Sequence, residues 1–345
     1  MKFDPLLYYA YRVAGQTRSV ERAASDIVTV CAEEEDVRRR AFFLPDQLDR
    51  VQLAVDGVAF QTARISETPV THQATRALLY RNAALLDGYV FAGRSRRQMI
   101  RSKPPRWPTA APTRMDKVAL VGTPVSDIFF GHYLMDDSAT ALLAQDFGPV
   151  RGVESANRAN WEHATDYRAM MGLEVPDLNN ATFSEAWLFE DVGMNSNRRA
   201  RMRAVRQRLS GISPDRTGHG VFIIRSSHGQ DRRILENEAE IANLLAQKGF
   251  TVINPMEEDA QTICRKISGA ALVVSVEGSA LTHAYLTMQD QGAIVTIQPP
   301  YRFDNVWKDF TDLLGMRYGF VVAEGSRQSF RVNPDDLMKT LDLVV

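Results

Sequence analysis

A chain of 345 residues is long enough for two domains, and its 45% apolar and 24% charged residues are those of a globular protein. Lys and Arg number 41 and Asp and Glu 42, so the net charge is −1, which excludes a global draw to nucleic acid or anionic lipid while leaving room for local basic clusters. The two cysteines, Cys31 and Cys264, stand far apart with no His or Cys at metal-ligand spacing, which excludes a disulfide framework and a structural zinc site and fits a reducing, cytoplasmic setting.

The opening stretch carries Asp4 and no long apolar core, so it does not read as a signal peptide. No stretch approaches the ~20 apolar residues of a membrane span. Leu6, Leu7, Tyr9, Ala10 and Val13 suggest a short helix. Glu33 to Arg40 is a charged run, read as a solvated face. Arg50 to Gln61 reads as strand-like pieces around a turn at Asp56-Gly57. Leu78 to Phe91 mixes an apolar, helix-like face with the turn pair Asp87-Gly88 and a short strand. A basic loop follows from Arg94 to Arg106, with Pro104 and Pro105 inside it; it reads as solvated, or as a surface for an anionic acceptor. Lys117 to Thr123 is a buried strand, followed by an aromatic-rich helix from Phe129. Ala186 to Phe189 is a further strand. The helix from Asn197 to Leu209 has arginines on several faces, so most of them must be solvated or paired. Gly211 to Gly220, rich in Gly, Pro, Ser and Asp, is the best linker in the chain.

Beyond the linker, strands and helices alternate. Strands are expected at Val221–Ile224, Thr251–Ile253, Leu272–Val276, Ala293–Gln298 and Tyr318–Val322. Helices are expected at Leu235–Gln247, from Asp259, at Leu281–Met288, at Asp304–Leu314 and from Pro334 to Leu343. Short connections between such elements predict a parallel sheet covered on both faces, an α/β, Rossmann-like domain.

Ligands of open α/β sheets bind beyond the carboxyl ends of the strands. Two strand ends are chemically rich. One is Arg225-Ser226-Ser227-His228-Gly229, followed by Arg232 and Arg233. The other is Glu277-Gly278-Ser279-Ala280, a small-residue turn before a helix. If the two strands are neighbours, arginines and a helix N-terminus converge on one crevice, which suits a diphosphate. The ordinary alternatives are a plain strand-to-helix connection and exposed surface arginines. In the first half, His132 and Asp136 lie four apart, so a helix places them on one face, where a carboxylate raises the basicity of an imidazole. Such a pair can take a proton from a hydroxyl, or be a core histidine beside an unrelated acid. Asp136 and Asp137 are not spaced as a D-x-D metal motif. No G-x-G-x-x-G, G-x-x-x-x-G-K-[ST] or G-x-S-x-G fingerprint is present.

These residues resemble glycosyltransferase family 61 over residues 118–325. Arg233, Asn237 and Glu238 are similar to an R-x-x-x-N-E pattern, and Glu277 to His283 (EGSALTH) resembles the family's H-G-A-G-L-T-N turn. Ile294 to Pro299 resembles its V-I-E-I-x-P strand, Gly315 to Tyr318 its L-G-x-x-Y element, and Phe130 to Asp136 its F-G-H-W-L-L-D/E helix. Glu277 and His283 depart from the His and Asn common at those positions, as in a bacterial capsular-polysaccharide or lipopolysaccharide subgroup.

The resemblance implies a GT-B architecture, two Rossmann-like domains with a cleft between them. The expected limits are an acceptor-side domain over residues 1–210 and a nucleotide-sugar domain over 211–328. A closing helix over 329–345 is left open to return to the first domain. The implied reaction is inverting transfer, without an obligatory metal or other cofactor, from a nucleoside-diphosphate sugar to a hydroxyl of a polysaccharide or lipid-linked glycan. A UDP-sugar is the expected donor. Arg225, Ser226, Arg233, Gly278, Ser279 and His283 are assigned to the donor, Glu277 to its hydroxyls, His132 to the base and Asp136 to its partner. No nucleic-acid partner is expected, and peripheral association with the inner face of the membrane is left open. The rival reading is a nucleotide-sugar-binding scaffold that has lost transfer. A Rossmann-type hydrolase has no nucleophile in the sequence.

Overall fold

A computed structural model of the chain describes residues 4–101, 111–159, 161–225 and 233–345. In chain order, helices α1 (Asp4–Val13) and α2 (Val20–Ala23) precede β1 (Asp26–Cys31) and β2 (Glu34–Val37). Next come α3 (Val58–Ile65), β3 (Pro69–His72), β4 (Thr75–Leu86), β5 (Tyr89–Ala92), β6 (Ser95–Gln98) and β7 (Thr113–Leu120). A helical stretch from α4 (Phe130–His132) to α5 (Ser138–Ala144) is followed by β8 (Val150–Val153), α6 (Glu162–Met170), β9 (Asp177–Leu178), β10 (Ala181–Glu190) and α7 (Ser196–Leu209). The remainder is β11 (Gly220–Ile223), α8 (Glu238–Gln247), β12 (Thr251–Ile253), α9 (Ala260–Ile267), β13 (Leu272–Val276), α10 (Thr282–Thr287), β14 (Ala293–Gln298), α11 (Val306–Leu314), β15 (Arg317–Val322), β16 (Glu324–Gly325), β17 (Phe330–Arg331) and α12 (Pro334–Val344).

The chain forms two compact units. One holds Met1–Glu34 and His72–Val205, the other Glu35–Thr71 and Arg206–Val345. Both mix helices with a sheet, as an α/β fold requires.

The first unit is built on a mixed sheet in the order β6-β5-β4-β10-β7-β8-β9, with β1 also paired to β4. The strands β10, β7, β8 and β9 run parallel, whereas β1, β5 and β10 are antiparallel to β4. The helix-like reading of Leu78 onward is therefore corrected to a 12-residue strand. Its strand is buried on both faces at Leu78, Leu79, Tyr80, Ala83 and Leu85, so the alternation that marks a half-buried strand is missing. Part of the expected basic loop is also strand. Ser95–Gln98 forms a hairpin with β5, and Arg96 lies 4.7 Å over the Tyr89 ring, while residues 102–106 lie outside the described residues.

The second unit has a parallel sheet in the order β12-β11-β13-β14-β15. Its core is the apolar filling of Phe222, Val274, Val276, Val295, Ile297 and Val321, closed by Leu245 from α8 and by Leu337, Leu341 and Val344 from α12. The helices start where the chemistry of their ends requires it. Asp259 accepts the Thr262 N–H at 2.7 Å as the N-cap of α9, and Asn333 caps α12 one residue before Pro334. The closing helix packs on this same sheet.

Residues 35–71 complete the second unit. The strand-like reading of Arg50 to Gln61 is corrected here: Gly57, with φ of 93°, starts helix α3, which buries Gln61 and Ile65 four apart. Upstream of it, the extended chain at Gln52–Val55 pairs with the loop after β14. The Gln52 N–H donates to Pro300 O at 2.8 Å, and the Phe303 N–H donates to Leu53 O at 2.8 Å.

Candidate functional site

The strands ending at Ile223 and Val276 are adjacent and parallel, so the residues after them leave the sheet on one edge. Arg225 and Arg233 both reach the turn after β13. Gly278 sits there with φ of 147°, and a methyl group on its Cα would overlap the Arg225 guanidinium and stand 2.9 Å from Nη1 of Arg233. No other residue type leaves that space, so the glycine is what lets two cations share the turn. Like charges at such range need an anion. Glu277 is the nearest: its Oε2 accepts from Arg233 Nη1 at 2.5 Å and from Arg302 Nη1 at 2.8 Å, and its backbone carbonyl accepts from Arg233 at 2.6 Å. Only 2% of Glu277 is exposed.

Other expectations fall out differently. Ser279 opens a 3-10 turn to Leu281, and the α-helix begins at Thr282 and lasts six residues. So short a helix adds little dipole to the site, and the arginines dominate its electrostatics. His283 lies on that helix and is buried. Ser226 and Arg232 lie outside the described residues.

The second cluster lies in the first unit. Between α4 and α5 the helix makes a π turn over Tyr133–Asp137, a rare widening that recurs at functional sites. His132 precedes it and Asp136 lies within it, and His132 Nδ1 meets Asp136 Oδ2 at 2.7 Å with the imidazole half-buried. The other carboxylate oxygen, Oδ1, accepts from Nη2 of Arg198, which is 1% exposed. Burial lifts the Asp136 carboxyl, but the charges of Arg198 and His132 outweigh it and hold the group below the usual carboxylate range. Arg198 also donates to the Asp191 carbonyl, and Asp191 takes both guanidinium arms of Arg201, at 2.6 and 2.7 Å. Thr140 donates to the same carboxylate at 2.8 Å. The result is a fixed chain from a half-buried imidazole to a buried ion-pair cluster. The carboxylate orients the ring, so its tautomer and direction are set before any substrate arrives.

Arg198, Asp191 and Arg302 were not singled out by sequence reasoning. For Arg198 a signal existed. Arg198, Arg201, Met202, Val205 and Leu209 recur at helical spacing and are all buried, so two arginines stand on the apolar stripe of α7. Arg302 follows the Pro299-Pro300 pair, in a loop with no pattern to mark it.

Both clusters draw on one stretch of chain, from the helix that begins at Phe130 to the strand that ends at Gln298. Residues 130–295 match the family model Glycosyltransferase 61. No curated protein matches the chain. The matched segment includes His132, Asp136, Arg198, Arg225, Arg233, Glu277 and Gly278, and the match supports glycosyl transfer, with a sugar donor and a glycan acceptor in general, as the activity. Arg302 and residues 35–71 lie outside it. Among the described residues, no group of three or more His, Cys, Asp or Glu is placed to hold a metal ion, and no helix is long and apolar enough to cross a membrane.

Proposed function

We propose that the protein is an inverting glycosyltransferase of the GT-B type that moves a sugar from a nucleoside-diphosphate donor, a UDP-sugar first of all, to a hydroxyl of a polysaccharide or lipid-linked glycan. The observation that carries this reading is the convergence of Arg225 and Arg233 on Gly278 at the carboxyl edge of a parallel sheet. Guanidinium forks match the oxygens of a diphosphate, and positive charge there stabilises the leaving group as its bond to the sugar breaks. Gly278 and Ser279 shape the floor of the pocket, with Ser226 and His283 as further donor contacts.

His132 serves as the base. The negative Asp136 carboxylate favours the imidazolium that forms when the ring takes the acceptor's proton, and Arg198 keeps that carboxylate ionised. The attacking hydroxyl and the leaving diphosphate lie on opposite faces of the sugar in an inverting displacement. The reading therefore assigns His132 to the hydroxyl and the arginines to the diphosphate. No metal is needed where arginines supply the charge. The subgroup reading places the product in a bacterial capsule or lipopolysaccharide, made in the cytoplasm at the inner face of the membrane.

Thermal melts against UDP, GDP, CDP and CMP and their sugars, with magnesium and with EDTA, test the donor. A ligand at ~100 times its dissociation constant adds about 2.7 kcal/mol. One base is expected to raise Tm equally well in EDTA; a shift that needs magnesium overturns the arginine account, and none at all overturns the donor reading. Transfer to glycan acceptors by the wild type, reduced about 10²- to 10⁴-fold in His132→Ala at unchanged Tm, is the expected result for the base. Donor binding without transfer to any acceptor returns the protein to the scaffold reading.

A further inference from the structure

Three adjacent parallel strands, β11, β13 and β14, each end in a member of one charged cluster. Arg225 follows the first, Glu277 and Gly278 the second, and Arg302 lies four residues past the third. We infer that Arg302 is a third guanidinium of the diphosphate site and that Glu277 is its positioning residue, aligning Arg233 and Arg302 on the ligand rather than bonding sugar hydroxyls. The inference rests on the donor reading above and deepens it.

The charge arrangement supports it. A fully buried ion pair is at best a weak source of stability. Glu277, with its side chain 3% exposed, holds two guanidinium groups on one oxygen. With Arg225 over the adjacent glycine, three cations meet Glu277 and Asp304, the latter 3.3 Å from Arg302 Nη2 and itself shared with Arg64 at 3.7 Å. A diphosphate set against these guanidinium groups would add its own negative charge to the cluster. Placed directly against phosphate, Glu277 would repel; placed behind two forks, it orders them.

The backbone supports it as well. The loop bearing Arg302 is held on both sides. The Gln52 and Leu53 N–H groups donate to Pro300 O at 2.8 and 3.1 Å, and the Val55 N–H donates to Phe303 O at 3.0 Å. Gln298 Nε2 donates to Asp304 O at 2.8 Å, closing the loop onto the end of its own strand. Arg302 is thus 21% exposed at its side chain yet mounted on a fixed loop, as a binding residue should be and a surface arginine is not.

Titration of inorganic pyrophosphate and of UDP into the full chain tests this, with Tm measured on every variant. Arg302→Ala is expected to weaken both ligands about tenfold or more at unchanged Tm, and Arg302→Lys to recover part of the loss, because an ammonium keeps the charge but not the fork. Glu277→Gln, which keeps the shape and removes the charge that aligns the forks, is expected to weaken both ligands too. Wild type that binds while Arg302→Ala and Arg302→Lys bind within twofold of it overturns the inference and leaves the donor reading standing. Wild type that binds neither ligand overturns both. If Arg302→Ala fails to fold, the lysine variant and Glu277→Gln carry the decision alone, and tight binding by both overturns the inference.

Discussion

The Oε1 atom of Gln61 accepts the backbone N–H of Asn305 at 2.7 Å, across 244 positions of sequence. The same side chain donates to Val55 O at 2.9 Å, and none of it is exposed. Gln61→Ala therefore leaves the buried Asn305 N–H and the half-buried Val55 carbonyl without this side chain's bonds. The expected cost is about 1–3 kcal/mol for each unsatisfied group, read as a lower urea midpoint. A midpoint unchanged from wild type would mean that the loop after β14 does not depend on this bond.

Arg198 is expected to matter for stability as well as for the imidazole in front of it. Removing it leaves Asp136 half-buried without its cation and the Asp191 carbonyl without a donor. Arg198→Met should cost about 3–5 kcal/mol, the usual effect of breaking a buried pair from one side. The double variant Arg198→Met with Asp136→Asn should recover part of it, since no uncompensated carboxylate then remains. A double variant no more stable than the single would place the cost elsewhere on α7.

Gly278→Ala is expected to spare the sheet and damage the site. A Cβ there overlaps the Arg225 guanidinium, which must move, and φ of 147° is a backbone conformation that alanine rarely adopts. Nucleotide affinity should fall by about tenfold or more with a smaller loss in Tm. Equal affinity in variant and wild type would show that Arg225 can leave the turn without consequence.

The pH dependence of stability has an identifiable source in Asp137. Burial pushes this carboxyl up to about 7, against the pull of Arg168 and Ser126 and with a further push from Asp136. In the unfolded chain it titrates near its ordinary value of 3.8. Between these two values the folded chain holds a proton that the unfolded chain has released, so stability falls as pH rises from about 4 to about 7 and then levels. Asp137→Asn removes that slope. Its urea midpoint should exceed that of wild type at pH 8 and lie close to it at pH 4; an equal gain at both would assign the effect to packing.

Legibility followed burial pattern and local punctuation. In the second unit Thr251–Ile253, Leu272–Val276 and Ala293–Gln298 stand as the apolar runs suggest, because short β-branched runs bounded by turn residues have few other readings. The i, i+4 spacing of His132 and Asp136 was enough to place them in contact. By contrast, the stretch from Leu78 reads as partly helix-like although it belongs to the strand Thr75–Leu86, because a strand covered on both faces loses its period of two. Nothing between residues 35 and 71 marks that segment as part of the second unit, since its ties are backbone pairings and single buried polar groups such as Gln61. The arginines of α7 looked interchangeable, and only their position on the buried stripe separates Arg198 and Arg201 from the rest.

The interleaving of the units has a consequence for synthesis. Residues 35–71 leave the ribosome long before the strands they complete, while the intervening chain from His72 to Val205 can fold as soon as it appears. The early segment, with Val37, Leu53, Val58 and Phe60 exposed even in the finished fold, must wait without its partners until Phe303, Asn305 and Gly319 are made. Its capture is a late, long-range step that closes a large loop, the kind of event that slows folding and favours aggregation when delayed. Ribosome-bound chains stalled before residue 300 should therefore show this segment open to protease, and only the released protein should protect it.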